Sequence, residues 1–160
     1  MAFGSMRSRQ HTPNSMELVT LDINIHGEEE TTRKEPTRRV LLLEDRDDFR
    51  DVLRDYLVTR SFHVVSVNSG IEGLREVMNN GRFDVILCDM LMPRMGGEMF
   101  YWAVTRVRPA TKKRFIFFTG HKNNPAIEFF FKRVNAKILF KPFQLAALDS
   151  AISDVIRKMS

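Results

Sequence analysis

Five short apolar runs divide the sequence, and four of them stop at a residue with usable chemistry. The runs are Val40–Leu43, His63–Val67, Val85–Cys88, Phe115–Phe118 and Ile138–Phe140. Apolar runs this short, hardly broken by polar residues, fit strands buried on both faces, the habit of a parallel sheet. Between them apolar residues recur at helical spacing: Phe49, Val52, Leu53, Tyr56 and Leu57, then Ile71, Leu74, Val77 and Met78, then Met99, Phe100, Ala103, Val104 and Val107. Pro125 to Val134 and Leu145 to Met159 read as two more helices, and Asn79-Asn80-Gly81 is a natural helix stop. Asp47 or Asp48 is placed to cap the first helix. Parallel neighbours need crossovers, so five strands alternating with five helices predict an α/β fold, a doubly wound parallel sheet covered on both faces.

The chain can fill such a core. Of its 160 residues, 43% are hydrophobic and 28% charged. No apolar run approaches the roughly 18 residues of a membrane span. The single cysteine, Cys88, excludes an internal disulfide framework and a multi-cysteine zinc site, and it fits a reducing cytoplasm. Its strand position turns it away from Asp89 and into the core. Histidines 11, 26, 63 and 121 show no metal-ligand spacing. The formal charge of +5 invites a nucleic-acid reading. The excess is spread thinly through residues 40–160, apart from Lys112-Lys113-Arg114 and Lys132-Arg133, which read as solvated helix ends or loops. With no aromatic RNA-binding motif and no helix-turn-helix, a nucleic-acid partner is not expected. Residues 1–37 lack periodicity: Met1 to Met6 reads as a vector leader, and the rest as a flexible tail or linker with one strand-like stretch, Glu17 to Ile25. The folded domain is expected over residues 38–160.

Sites in parallel sheets form beyond the carboxyl ends of the strands. There the sequence places Glu44 and Asp45 after the first run, Asp89 after the third, Thr119 after the fourth and Lys141 after the fifth. Three carboxylates, a hydroxyl and an ammonium should meet at one sheet edge. Like charges 4 Å apart repel by about 4 kcal/mol at an effective dielectric near 20, so the carboxylates call for a cation. All-oxygen ligands without His or Cys favour a hard ion, Mg²⁺ first. Such an ion and a lysine facing one carboxylate make a receptor for a transferred phosphoryl group, with Asp89 as the nucleophile.

These residues resemble the receiver domain of two-component response regulators. The likeness runs from about Arg38 to Ser160 and rests on VLLLEDRDDFR, DVILCDMLMPRMGG, FIFFTG and LFKPF, in that order. It implies a flavodoxin-like (βα)5 sandwich with strand order 2-1-3-4-5, in which a phosphohistidine on a histidine kinase or phosphotransfer protein phosphorylates Asp89 in a phosphorelay. Glu44 and Asp45 match the acidic pair that holds Mg²⁺, and the Leu91 carbonyl matches its backbone ligand. Thr119 and Lys141 match the residues that bind phosphoryl oxygens and carry the signal into the fold. Pro142 matches a proline that usually follows a cis bond, and Pro93 and Gly97 shape the loop after Asp89. The resemblance makes the chain a switch, not an enzyme with an external product.

The chain departs from the family pattern at Ile138, where an aromatic switch residue usually stands, so the usual coupling to Thr119 is in question. RVNAKILFKPF and the TGH-x-x-N-P stretch are closer to receivers of hybrid histidine kinases. Leu91 offers an attacking water no hydrogen bond, and His121 lies within reach of the phosphoryl position. In the fourth helix Phe129, Phe130 and Phe131 spread over about 200°, so at least one ring is exposed and available to a partner or second copy. A phosphorylation-independent pseudo-receiver, serving as an interaction module, stays open as the alternative.

Overall fold

The computed structural model describes residues 37–159. The expected strands form: β1 (Arg39–Leu43), β2 (His63–Val67), β3 (Val85–Asp89), β4 (Phe115–Thr119) and β5 (Lys137–Phe140). All four pairings are parallel, and the strand order is β2-β1-β3-β4-β5. Every residue of β3 and β4 is buried, while β2 and β5, at the sheet edges, are largely half-buried. The apolar runs are continuous because the two faces of the sheet feed two separate cores. Leu41, Leu43, Ile86, Cys88, Phe115 and Phe117 point to one side. Val40, Leu42, Val85, Leu87, Ile116 and Phe118 point to the other.

The helices α1 (Asp47–Thr59), α2 (Gly70–Asn79), α3 (Gly97–Val107), α4 (Pro125–Val134) and α5 (Leu145–Arg157) cover these faces. Leu53 and Leu57 of α1 join Leu148, Ala151, Ile152 and Val155 of α5 on one side. Val77 of α2, Phe100 and Val104 of α3, and Ile127 and Phe130 of α4 fill the other. Gly73 lets α2 lie close to β1, since a Cβ there would sit 2.4 Å from Leu43 Cδ2. Two helices start on side-chain caps. Ser69 accepts from the Glu72 N–H at 3.3 Å, and Asn124 accepts from Ala126 and Ile127 N–H at 3.0 and 3.3 Å.

Some local expectations are corrected. Asp47 and Asp48 do not cap α1: they lie within its first turn, and the cap position is Arg46, which makes no side-chain cap bond. Carboxylates there still face the positive end of the helix dipole. A 3-10 helix, Pro109–Arg114, stands where a plain loop was expected. Within it Arg114 is not solvated but buried, donating from Nη1 to the Phe83 carbonyl. The last helix ends at Arg157, two residues short of Met159. The leader, the tail and Glu17 to Ile25 lie outside the described residues.

Candidate functional site

The three carboxylates come together where β1 and β3 end. Oxygen atoms of Glu44, Asp45 and Asp89 lie within 4.8 Å of one another. The parallel pairing of β1 with β3 aligns Leu43 with Cys88, so the residues that follow emerge side by side. Glu44 is fully buried, Asp89 nearly so, and Asp45 is half-buried.

Lys141 reaches this group from the end of β5. Its backbone N–H donates to the Thr119 carbonyl at 2.8 Å, which fixes the start of its side chain. Its Nζ then donates to Glu44 Oε2 at 2.8 Å and to Asp89 Oδ2 at 3.2 Å. One ammonium therefore bridges two carboxylates from different strands. The Lys141-Pro142 peptide that follows is cis.

Burial pushes the carboxyls of both Glu44 and Asp89 above their ordinary values, because the charged form loses its water. The hydrogen bonds from Lys141 oppose the rise at both, and backbone N–H groups of Arg46 and Leu91 help. One ammonium cannot neutralise three carboxylates. The remaining negative charge, presented by oxygen alone, fits a hard divalent cation.

Thr119 is fully buried at the end of β4, and its hydroxyl accepts the His121 N–H at 3.1 Å. Leu91 follows Asp89 by two residues. Its N–H donates to Asp89 Oδ1 at 3.4 Å, while its side chain stands exposed. Gly97 lets this loop fold back onto β3: its N–H donates to the Met90 carbonyl at 3.0 Å, and a Cβ there would lie 2.7 Å from the Asp89 carbonyl oxygen. Ile138 is half-buried on β5 beside Phe117. His121 is exposed. Cys88 is buried in the core on the other side of its strand, and burial holds its thiol well above the ordinary range.

The rings of α4 sort themselves by helical angle. Phe130 is buried against Tyr101 and Phe117, Phe131 packs partly beside them, and Phe129 is 64% exposed. Trp102 is half-exposed on α3, with its Nε1–H directed to Glu98 at 3.4 Å.

Three contributors were not singled out by sequence reasoning. Arg50 donates to the Glu44 carbonyl at 2.9 Å and to Asp47 Oδ1 at 2.5 Å, tying the β1–α1 loop to its helix. The rings of Phe49 and Phe118 flank the Lys141 ammonium, with centroids 4.8 and 5.1 Å from Nζ. Both phenylalanines read as core residues, which they also are. The only signal for Arg50 was its place three residues after Asp47, a spacing shared by many surface ion pairs.

Known proteins share this sequence pattern and this fold. The profile of the response regulator receiver domain matches residues 40–153. The response regulator receiver protein CpdR of Brucella abortus is 31% identical over 120 residues, covering 74% of this chain and 97% of that protein. The transcriptional regulatory protein GlrR of Escherichia coli is 29% identical over 119 residues, 74% of this chain, but these make up only 26% of its own length. Among solved structures, the receiver domain of sensor histidine kinase PA1611 from Pseudomonas aeruginosa, determined with a magnesium ion in its active site cleft, superposes with a TM-score of 0.69. That superposition spans 76% of this chain and 98% of the other at 23% identity, a likeness of fold. With five parallel strands in the order 2-1-3-4-5 and acidic residues gathered at their carboxyl ends, this chain belongs to the response regulator receiver domain family of two-component systems.

Proposed function

We propose that this domain is a phosphoacceptor switch in a phosphorelay, with Asp89 as the residue modified. The observation that carries the reading is the ammonium of Lys141 held 3.2 Å from Asp89 and 2.8 Å from Glu44, beside Asp45. A carboxylate oxygen of Asp89 attacks the phosphorus of a phosphohistidine on a histidine kinase or phosphotransfer protein. The new P–O bond gives an acyl phosphate, the P–N bond breaks, and the imidazole leaves with the electron pair. Lys141 can follow the phosphoryl oxygens as they replace its contact with the carboxylate. Thr119, in the strand next to Asp89, supplies a hydroxyl for the same oxygens.

Glu44, Asp45, Asp89 and the Leu91 carbonyl would hold Mg²⁺, and their all-oxygen character suits it. When bound, the ion would offset the charge that gathers on the phosphoryl oxygens. The magnesium in the PA1611 receiver supports this assignment by likeness of fold. Phosphorylation adds about two negative charges next to Glu44, and this changes what Thr119, Lys141 and β5 prefer. Moving a population from 1:99 to 99:1 takes a difference of about 5.5 kcal/mol. Ile138 takes the place of an aromatic switch, so repacking of β5 against Phe117, rather than rotation of a ring, is the readout. The exposed Phe129 ring on α4 supplies a contact for a partner or a second copy. The domain releases no external product, so it is a switch and not an enzyme, and its single buried thiol suits the reducing cytoplasm.

Intact mass after incubation with Mg²⁺ and acetyl phosphate tests the reading. One phosphoryl addition is expected, lost in Asp89→Asn and absent when the metal is chelated. No addition under conditions that modify another receiver would leave the interaction module as the better account.

A further inference from the structure

The edge of the sheet opposite Asp89, where the strands begin, holds a groove of about 540 Å³ that phosphoryl transfer does not use. Its charged lining is Lys112, Lys113, Arg133, Lys137 and Lys158, and among the described residues no carboxylate lines it. An adjoining hollow of about 360 Å³ shares Lys112, Lys113 and Lys158 and adds Arg82 and Arg114. Along the chain these cations lie in separate segments. The fold gathers them because every helix runs back from the strand ends to the strand starts.

Cations near a helix C-terminus are favoured by the macrodipole, but that effect would act on all five helices alike. It does not. The last turns of α1 and α2 carry no basic residue, whereas α3 ends with Arg106, α4 with Lys132 and Arg133, and α5 with Arg157. The 3-10 helix before β4 ends in Lys112-Lys113-Arg114. On the other side, Arg60 at the C-cap of α1 is paired with Asp149 and Arg39 at the start of β1 is bonded to the Asn80 and Arg82 carbonyls, so the helix-end cations concentrate around the starts of β4 and β5. Two of these groups are already engaged: Lys137 pairs with Asp154 at 2.5 Å, and Arg114 holds the Phe83 carbonyl. Lys112 and Lys113 have no ion-pair partner among the described residues, whereas Lys158 shares the field of Asp154 with Lys137 and Arg157.

The same groove contains a flat surface. Trp102 is 38% exposed at its mouth, and the Arg133 guanidinium lies over its ring, 5.3 Å from the centroid. Unpaired cations beside an exposed indole and a planar guanidinium match what a single strand needs, with phosphates along the lysines and a base stacked on the plane. An acidic peptide would use the lysines and leave the plane idle. We propose that this groove binds single-stranded nucleic acid, by the phosphate backbone and one stacked base.

The test is fluorescence anisotropy of a labelled oligothymidylate about 20 nucleotides long, titrated with the full chain. Duplex DNA of the same length and polyglutamate serve as competitors. Saturable micromolar binding at low salt is expected, weakening about 50-fold over a fourfold rise in salt if four cations release counterions. Trp102 emission should be quenched on binding. The double variant Lys112→Glu, Lys113→Glu should bind at least about tenfold more weakly, with its thermal midpoint and its phosphorylation at Asp89 unchanged. Four results would overturn the proposal: no saturable binding, equal binding by the double variant, competition by duplex as strong as by single strand, or stronger competition by polyglutamate. The last would reassign the groove to an acidic protein.

Discussion

A carboxylate with no solvent contact, as Glu44 has, stays ionised only where its partners replace the lost water. Here the partners are the Lys141 ammonium and the Arg46 N–H, and they compete against burial and the nearby charge of Asp89. Burial wins at both carboxyls, so between their ordinary and their raised pKa values the folded protein holds protons that the unfolded chain gives up. The sign follows. For these two groups, stability is full below their ordinary pKa values and falls as pH rises through the raised ones. In the presence of a chelator, Asp89→Asn should therefore be more stable than wild type at neutral pH by about 1–4 kcal/mol, the range of one like-charge contact relieved between water and an effective dielectric near 20. Urea unfolding at stepped pH should show this gain shrinking toward acid, and a constant gain would refute the assignment. Leu91 raises a separate residue-level question, because its exposed apolar side chain cannot orient water near Asp89. Leu91→Asn should shorten the lifetime of the phosphorylated form about tenfold, the value of one hydrogen bond in the transition state. Loss of phosphate followed by mass over time measures it, and a wild-type half-life of seconds would remove the premise.

Elements settle where these residues stand, and the tightest joint is between α2 and β1. Gly73→Val would push a branched side chain into Leu43 and Phe100, whose atoms already lie 2.4 and 3.1 Å from a Cβ built there. A loss of about 1–3 kcal/mol is expected from such overpacking, seen as a lower urea midpoint. This joint was invisible in the sequence, where Gly73 is one glycine inside a helical pattern. The strands were legible almost to the residue, because their apolar runs are continuous and end abruptly at Glu44, Asp89, Thr119 and Lys141. The cap of α1 was misread: several acidic residues share that loop, and composition does not say which backbone N–H each will face. Arg114 was misread for the opposite reason. A cation in a basic cluster looks solvated until a carbonyl, here that of Phe83, is found to take it inside. The candidate site was legible as a set of residue types after strands, whereas the flanking rings of Phe49 and Phe118 required the packing itself.

For the whole molecule, the sheet is a wall between two cores that share no side chains. Leu43 belongs to one and Leu148 to the other, and both are fully buried. Replacing either with Ala should cost about 2–5 kcal/mol, and the two losses should add, since the sites have no common neighbours. Urea unfolding of the single and double variants tests this, and a double loss well below the sum would mean the wall transmits relaxation. Charge divides the molecule along the other axis, with Glu44, Asp45 and Asp89 clustered at the strand ends and Lys112, Lys113 and Lys158 at their starts. The ion pair between Glu44 and Lys141 joins positions 97 apart in the chain. During synthesis the ribosome delivers every acidic member of the cluster long before the ammonium that balances it. A nascent chain extended only through β4 has all three carboxylates but not the ammonium that bridges two of them. The charge balance of the cluster is thus completed late, only when β5 docks and brings Lys141 to Glu44 and Asp89.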